Sequence, residues 1–461
     1  MADTTTINPF LMQAIYPILS DRESSRAVNV DLTFKNTANA EVMVVVGRDI
    51  RGFVFTQNFI ENISDKLRVS VNIKLTTFNF LMHWRKDLRC ELRMGHVNAR
   101  SGALSVEPTF FSKQYRCIIL TQRDPFKMYP AKMVDPGPNA SALNQPFTEQ
   151  RIDVELELIP EDVYELRKLR IHATYHKVKM EQILYHTASL FNIKKCSIVT
   201  PDNTKEYENF IIPPMMGFRE LYGWLQRAPG NGIYNYGFCY YYTDETLFIF
   251  PRFAAPANKN VTHIYAVGKE NFGVVDNCST RDENGNLHIL ANSMIDTMDY
   301  TDLGIENEAT AIMFQEATTL IDNSHKMLST GGFKVNPDNF DTLHWRSPKG
   351  IASDVFTPEY KISRGNQFVH SSSLKAMEGY DIELYWKNAE LGSILPNRLI
   401  KFHYEVTGAD GMHLYTAADC SCDSIEYAFS PEDSRFLPVF GCIAKMKLYS
   451  RDLPTSVPNI G

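Results

Sequence analysis

The sequence of 461 residues lacks the features that mark several classes of protein. Its 24 glycines and 23 prolines follow no period and form no low-complexity tract, which excludes collagen-like and largely disordered chains. The most compact apolar run, VMVVV at residues 42–46, is far shorter than the ~20 residues of a membrane-spanning helix. Residues 1–6 are polar and lack the positive and apolar regions of a signal peptide. We expect neither secretion through a signal peptide nor a transmembrane segment.

Blocks of one charge are also absent. The chain has 47 Lys and Arg against 54 Asp and Glu, a net charge of −7. The densest basic stretches, residues 84–89 and 167–170, are short and interrupted. Because sequence-independent phosphate binding usually needs a broad basic footprint, we expect no sequence-specific nucleic-acid binding.

The cysteines are few and scattered, which argues against a disulfide framework. Of the eight cysteines, only Cys420, Cys422 and Cys442 form a local group, the last some twenty residues after the other two. The others are widely separated in sequence. A zinc site there needs a fourth ligand, which no neighbouring Cys-x-x-Cys or His pair supplies. Reduced, core-like thiols on strands or turns are the favoured interpretation, with metal binding as the alternative.

The aromatic content favours β-structure. The chain has 22 Tyr and 28 Phe but 4 Trp, and many Val and Ile accompany them. Apolar and polar residues alternate, as in a strand with one buried face, over residues 28–34, 67–75, 88–94 and 152–158. Residues 42–46 and 115–120 bring the number to at least six strands before residue 160, enough for one closed or nearly closed antiparallel barrel. A Pro- and Gly-bearing loop at 135–141 is expected to be functional or interface-forming.

The period changes to that of helices after residue 176. One amphipathic helix is predicted from Met180, Ile183, Leu184, Thr187 and Phe191, and a second from Phe218, Leu221, Tyr222 and Leu225. A short strand at 196–199 lies between them, and a hairpin of residues 236–242 and 246–250 follows. These elements predict a small α/β module that ends in the Pro-bearing stretch 251–260.

Strands return after the module and predict a second barrel or sandwich. The alternating or apolar segments are 263–267, 287–290, 382–386, 400–406, 425–429 and 444–448. A helix with Ile305, Ala309, Ile312, Met313 and Leu320 on one face is predicted as an insertion, followed by an irregular region at about 329–360 that we expect to pack against another chain.

The predicted fold class is mainly β (α+β), with two tube-protein-like antiparallel β-barrels, an inserted small α/β module and a helical insertion in the second barrel. The expected domains are residues 1–165 for the first barrel, 166–256 for the module and 257–450 for the second barrel with its helix and long loops at about 300–360. Residues 451–461 form a C-terminal tail.

Candidate catalytic groups each have a plainer structural interpretation. His172 and His176 would share one face of a helix, but the alternation around them favours a strand, on which they start about 13 Å apart and cannot chelate one metal together. Asp153, Glu155 and Glu157 form a row on one strand face, whereas a glycosidase pair faces across a cleft.

No sequence motif adds a catalytic site to these candidates. The segment 230–232, Gly-Asn-Gly, follows a helix and predicts a stop and turn, not a phosphate cradle. No Walker, nucleophile-elbow, zincin or kinase motif occurs. We therefore predict no catalytic, cofactor-binding or metal-ligating residues, and a non-enzymatic protein.

The module resembles part of a known family. Residues 170–253 include the strand and helix of TYHKVKMEQIL (174–184), the segment FIIPPMMGFRELYGWL (210–225) and the hairpin GFCYYYTDETLFIFP (237–251). In element order and local pattern this stretch resembles the inserted α/β module of the hub proteins of bacteriophage tails and baseplates, in particular those of contractile-tailed phages. The layout of a barrel before the module and a second barrel after it extends the resemblance over most of the chain, although the two predicted barrels share no evident sequence similarity and the insertion at 300–360 has no counterpart.

The resemblance implies a structural role in the virion. Hub chains of this family form a homotrimer whose six barrels face the hexameric tail tube and whose three-fold symmetry faces the central spike, so that the hub is part of the DNA conduit. The implied partners are the tail tube protein, the central spike protein, and tape measure and other baseplate proteins. The implied location is the tail baseplate of the virion, assembled in the host cytoplasm. Under this hypothesis Asp153, Glu155 and Glu157 line the lumen.

Two alternatives remain open from the sequence. One is another β-rich baseplate or tail component, such as a wedge or attachment protein. The other is a carbohydrate-binding or carbohydrate-active protein that uses exposed Tyr234, Tyr236 and Tyr240 as sugar platforms.

Overall fold

The computed structural model describes most of the predicted strands and the whole of the first half of the α/β module. The described residues are 28–36, 41–60, 62–96, 109–120, 151–226, 232–234, 238–251, 261–267, 279–300, 310–316, 340–346, 380–407, 413–431 and 439–450. Within them the protein is mainly β with four α-helices, which confirms the predicted β-rich α+β class. The predicted loop at 135–141 and the tail 451–461 lie outside the described residues.

The first part of the chain forms seven strands, where at least six were predicted. The alternating residues are the cause, because one face of each strand carries side chains such as Val30, Leu32, Val69 and Val71 that are almost fully buried. Leu75, predicted as the end of a strand, instead begins the first helix. The elements are β1 (Val28–Lys35), β2 (Glu41–Val46), a 3₁₀ turn (Gly47–Asp49), β3 (Ile50–Asn58), β4 (Lys66–Lys74), α1 (Leu75–Trp84), β5 (Arg89–His96), β6 (Thr109–Leu120) and β7 (Arg151–Pro160).

The α/β module follows in the predicted order, and both of its predicted helices are confirmed. Its hairpin turns at Asp244 and Glu245, whose φ angles of 46° and 59° are those of a left-handed two-residue turn that matches the strand twist. The elements are α2 (Glu161–Lys168), β8 (Arg170–Lys179), α3 (Met180–Leu190), β9 (Lys195–Ile198), β10 (Glu206–Gly217), α4 (Phe218–Leu225), β11 (Cys239–Thr243) and β12 (Thr246–Phe250).

The rest of the described chain is made of strands, and all six predicted ones are present. All six are longer than expected, and those that contain 287–290, 425–429 and 444–448 are more than twice as long, because the apolar pattern marks only part of each strand. The elements are β13 (Thr262–Val267), β14 (Ser279–Arg281), β15 (Leu287–Tyr300), β16 (Thr310–Glu316), β17 (Phe340–Arg346), β18 (Tyr380–Lys387), β19 (Ile400–Thr407), β20 (His413–Pro431) and β21 (Phe440–Ser450).

Eight strands close into a first ring. The order around it is β1, β5, β6, β7, β4, β3, β20 and β21, and every neighbouring pair is antiparallel. Pairing of Val28 with Phe440 completes the ring. The ring therefore takes two strands from residues 413–450, so strand pairing crosses the domain limits expected at residues 165 and 257. Those limits stay a prediction.

Six strands close into a second ring. The order is β13, β19, β20, β21, β18 and β15, and β15 pairs again with β13. The expectation of an antiparallel barrel is wrong in one strand, since β13 runs parallel to both β15 and β19. A parallel pair cannot be joined by a tight hairpin, and both partners of β13 accordingly lie well beyond it in sequence, β15 beginning at Leu287 and β19 at Ile400.

The prediction of a helix around residues 305–320 is wrong for residues 310–316, the part of this segment that the structure describes. Ile312 and Met313 lie on β16, which pairs with β17 in an antiparallel hairpin from Thr310–Arg346 to Glu316–Phe340. Short apolar runs fit both periods, and the cross-strand hydrogen bonds of β17 decide for the strand. Ile305, Ala309 and Leu320 lie outside the described residues. The stretch 329–360, predicted as irregular, contains β17.

Two separate hydrophobic clusters fill the molecule. One runs through both rings and includes Leu32 and Leu156 of the first and Ile289 and Phe402 of the second. The other fills the α/β module around α3 and α4. The module thus has a core of its own, while Cys239, Tyr241 and Phe250 of its hairpin pack in the cluster of the rings.

Candidate assembly surfaces

The two rings share one long ribbon, made by β20 and β21. Residues 421–431 of β20 pair with residues 440–449 of β21. On its other edge β20 pairs with β3 of the first ring, and β21 pairs with β18 of the second. Phe429 on the inner face stacks on Phe53, with centroids 4.2 Å apart and rings 11° from parallel. The ribbon therefore belongs to both rings and joins them by continuous strand pairing.

The outer face of the ribbon is charged. The carboxylate of Glu383 on β18 accepts hydrogen bonds from Lys445 Nζ at 2.9 Å and from Lys447 Nζ at 3.1 Å. The bond from Lys445, together with that from Lys447, lowers the pKa of Glu383. Ile443 beside them is 49% exposed. This face is open to solvent in the single chain and available for contact with a partner.

The acidic row predicted on one strand face lies on β7. Asp153 and Glu155 are exposed and Glu157 is half-buried, while the intervening Val154 and Leu156 point into the first ring. Asn72 of β4 donates a hydrogen bond to Asp153, with a distance of 2.5 Å. Neighbours two residues apart on a strand share one face, so these carboxylates line the outside of the ring and do not oppose one another across a cleft.

The two histidines considered for a metal lie on a strand, as predicted. His172 and His176 are both on β8. His172 Nδ1 donates to the carbonyl of Ile212 at 2.8 Å, and His176 Nδ1 lies 3.3 Å from Asn209 Oδ1. Each ring therefore contacts β10 separately, and the structure does not bring the two together.

The cysteines of the described residues are free thiols, six of them buried. Cys420 and Cys422 lie two apart on β20 and Cys442 lies on β21. Burial raises the pKa of Cys420 and of Cys442 to about 12, and that of Cys422 well above its ordinary value. Thiols with such values stay protonated at neutral pH. No group of three or more His, Cys, Asp or Glu side chains within the described part of the chain has metal-binding geometry.

The tyrosines considered as sugar platforms are not an exposed set. Tyr234 is fully buried, and its hydroxyl donates to the carbonyls of Val199 and Ile249 at 2.5 and 3.1 Å. Tyr240 is half-buried and stacks on Phe238 with centroids 5.5 Å apart. Tyr236 lies outside the described residues. The premise of exposed aromatic platforms is wrong for Tyr234 and Tyr240, because the module uses them to fill its own core.

A buried carboxylate fastens the module to the first ring. Asp65 is 4% exposed, and it accepts hydrogen bonds from Tyr241 Oη at 2.7 Å and Thr243 Oγ1 at 2.9 Å on β11. Gln57 Nε2 of β3 donates to it at 3.1 Å, and Lys113 Nζ of β6 lies 3.5 Å away. We call these residues the Asp65 joint.

The electrostatics of the Asp65 joint follow from its burial. Burial, with the Asp65 carboxylate beside it, holds the pKa of Tyr241 well above its usual range. Burial acts against the charge of Lys113, but the carboxylates of Asp65 and Asp244 raise its pKa. No local pattern signals this joint, since Tyr241 and Thr243 lie 176 and 178 residues from Asp65.

The segment 230–232, predicted as a turn, is described only at Gly232. Its φ of 68° is left-handed, and a Cβ there would collide with the backbone carbonyl of Gln226. Gln226 lies at the end of α4. Its Oε1 accepts a hydrogen bond from the backbone N–H of Ile233 at 2.9 Å, and its Nε2 donates one to the carbonyl of Tyr234 at 2.8 Å. Gly232 and the side chain of Gln226 thus stabilise the turn that follows α4.

Comparison with known proteins gives no sequence-level match. No family model matches the chain, and no curated protein matches it. None of the helices in the described part of the chain has both the length and the apolar character needed to cross a membrane.

Solved structures of tail proteins match along most of the chain. The 43 kDa tail protein of prophage MuSo2 from Shewanella oneidensis has 12% identity and a TM-score of 0.40, covering 93% of this chain and 99% of its own. A tail protein from Neisseria meningitidis MC58 has 9% identity and a TM-score of 0.38, covering 91% and 96%.

A third match is the prophage tail protein gp18 from Listeria monocytogenes EGD-e. It has 13% identity and a TM-score of 0.37, and covers 92% of this chain and 94% of its own. The expected resemblance to phage tail proteins is confirmed as a likeness of structure.

Proposed function

We propose that the chain is a non-enzymatic, structural tail component of the virion that acts as a baseplate hub. In this role a homotrimer joins the hexameric tail tube to the trimeric central spike and forms part of the DNA conduit. The observation that supports the proposal is the pair of closed strand rings fixed to each other by the β20–β21 ribbon. Three copies of such a chain present six rings, and this number converts three-fold into six-fold contacts.

The charge of the first ring fits a conduit. Asp153, Glu155 and Glu157 stand on its outer face, with Val154 and Leu156 inside. Arg68 and Arg151 share this face and Arg151 pairs with Asp49, so the face carries both signs of charge and no basic patch that would hold DNA tightly. We therefore assign the outer face of β7 to the lumen of the trimer.

The oligomeric state tests the proposed role most directly. We expect a native mass of three times the 52.7 kDa chain mass and a three-fold ring in electron-microscope images of the purified protein or of tails. A stable monomer in which a saccharide raises the melting temperature would support the carbohydrate-binding alternative instead. A six-fold or peripheral position in the tail would support a wedge or attachment protein.

A charge-reversal variant tests the assignment of the lumen. Replacing Asp153, Glu155 and Glu157 with Lys is expected to make the assembled trimer retain double-stranded DNA at low salt and release it at high salt. A matched control is the triple replacement of Glu181, Glu206 and Glu208 with Lys, since these residues are exposed on the module and give the same change in charge. Equal DNA retention by both variants would contradict the assignment, while leaving the trimer itself unaffected.

A further inference from the structure

The second ring closes at a seam formed by a single short strand. β13 has six residues and lies between β15 and β19, parallel to both. In the described residues β15 and β19 do not pair with each other. The ring therefore stays closed at this point only while β13 holds both of its neighbours.

Four stacked rings cover the outer face of the seam. Register places His263 beside His288 of β15, and Tyr265 beside His403 of β19. The His263 and His288 rings are 4.8 Å apart and 6° from parallel, and the Tyr265 and His403 rings are 4.6 Å apart and 17° from parallel. His263 also stacks on His403 at 5.3 Å. We call His263, His288 and His403 the imidazole ladder.

The hydrogen bond between His263 and His403 cannot form when both rings are protonated. His263 Nδ1 and His403 Nε2 are 3.0 Å apart, a contact that needs one N–H and one bare nitrogen. Tyr265 Oη lies 3.1 Å from His288 Nδ1, and His288 Nε2 lies 3.3 Å from Asp282 Oδ2. A proton added to both His263 and His403 leaves two N–H groups and two positive charges facing each other across the first of these contacts.

One carboxylate lies near the ladder and contacts only His288, although its charge also acts weakly against the lowered pKa of His263. Asp282, in the turn after β14, is the acid beside His288, and hydrogen bonds from Asn286 lower the pKa of Asp282 to about 2, so it stays anionic in mild acid. The other charge of β14, Arg281, is engaged by Glu390 at 3.2 Å.

The remaining charges come from β19 and β20. Lys401 is on β19, two residues before His403, and adds positive charge to the seam. Its register partner on β20 is Asp419, which is exposed. No carboxylate among the described residues contacts His263 or His403.

We propose that the imidazole ladder is an acid-sensitive latch that holds β13 between β15 and β19 at neutral pH and releases this seam of the second ring when His263 and His403 are protonated. Burial, followed by the neighbouring imidazoles and Lys401, lowers the pKa of His263 below 6.5 and that of His403 to about 4. The seam is intact above pH 6.5 and weakens as the pH falls from 6.5 towards 4, because the opened strand binds protons more readily than the closed one. The latch does not depend on the proposed hub role.

Hydrogen exchange of the full chain tests the latch. Protection factors, corrected for the intrinsic pH dependence of exchange, are measured by mass spectrometry at about pH 7.5 and about pH 4.5. We expect peptides from β13 and β19 to lose about tenfold or more in protection at the lower pH, while peptides from β4 and β7 of the first ring lose much less. Protection in β13 that does not change with pH would overturn the proposal.

Variants separate the ladder from general acid sensitivity. The double replacement His263→Gln and His403→Gln keeps one donor and one acceptor at each position and removes the titration, so the loss of protection at β13 is expected to disappear. His176→Gln, on the exposed face of β8, is the control and is expected to behave as the unmodified chain. A double variant that still loses protection contradicts the latch.

A second measurement needs no variant and covers the case in which the double variant does not fold. Imidazole carbon chemical shifts of the unmodified chain, followed by NMR, are expected to show His263 and His403 titrating below pH 6.5. Titration of both rings near pH 6.5, the value of an ordinary imidazole, would also overturn the proposal.

Discussion

The two rings share a ribbon but are closed by different means. In the first ring all neighbouring strands are antiparallel, and the ring closes where Val28 of β1 pairs with Phe440 of β21, both with buried apolar side chains. In the second ring closure falls to β13, a short parallel strand whose outer face carries histidines. One chain thus combines a ring that is held by apolar burial with a ring whose pairing at β13 depends on the protonation state of His263 and His403.

The largest effect is expected from a change in the ribbon that both rings use. Phe429→Ala removes a 4%-exposed ring that stacks on Phe53, and we expect a loss of about 3–5 kcal/mol in the free energy of unfolding. Denaturant unfolding measures the loss, and hydrogen exchange shows where it acts. We expect protection to fall in strands of both rings; a fall confined to one ring would contradict a shared ribbon.

A change at the Asp65 joint is expected to have a smaller effect, located between the first ring and the module. Asp65→Asn keeps the size of the side chain but removes the charge that faces Lys113 and one strong acceptor for Tyr241 and Thr243, which costs about 1.5–3 kcal/mol. Asp49→Asn is the control, because its ion pair with Arg151 is partly exposed and is worth about 0–1 kcal/mol. Equal losses of stability in thermal or denaturant unfolding would show that the joint is not special.

The pH dependence of stability sharpens the contrast between the rings. Because the pKa values of His263 and His403 are lowered in the folded chain, the unfolded chain binds more protons in mild acid. The free energy of unfolding therefore keeps the full contribution of these two residues above pH 6.5 and falls as the pH decreases towards 4. We expect His403→Gln to reduce the acid-induced loss by roughly 1–2 kcal/mol in denaturant titrations at matched pH values. An unchanged pH profile would mean that other groups dominate the acid response.

The smallest effect is expected on the outer face of the ribbon. Glu383→Gln weakens two ion pairs with Lys445 and Lys447 that are open to solvent, and such pairs contribute about 0–1 kcal/mol. We expect a melting temperature within a degree or two of the unmodified chain. A large loss of stability would show that this face is part of the fold and not a surface left free for a partner.

Much of the local structure could be predicted from particular residues. The alternation of Val30 and Leu32 with polar neighbours determined β1, and the spacing of Met180, Ile183 and Leu184 determined α3, because burial of one face dictates the period. The helix predicted around Ile312 is wrong, since a short apolar run fits both helix and strand and only the partner strand Phe340–Arg346 decides between them.

The candidate sites were predicted less completely. His172 and His176 were correctly placed on a strand, and the acidic row was correctly placed on one strand face. Tyr234, expected to be exposed, is buried. The sequence pattern does not show which aromatic rings a small module needs for its core. Asp65 and the imidazole ladder were missed, as their partners are distant in sequence.

By itself the sequence determined that this protein is rich in strands, that an α/β module interrupts them, and which face of most strands is apolar. These properties depend on neighbours within a few residues. Only the tertiary structure decided that β20 and β21 belong to two rings, that β13 is parallel to its neighbours, and that His263 stands beside His288 and His403. Strand partners and register depend on contacts between residues as far apart as 28 and 440, and no local pattern encodes such pairings.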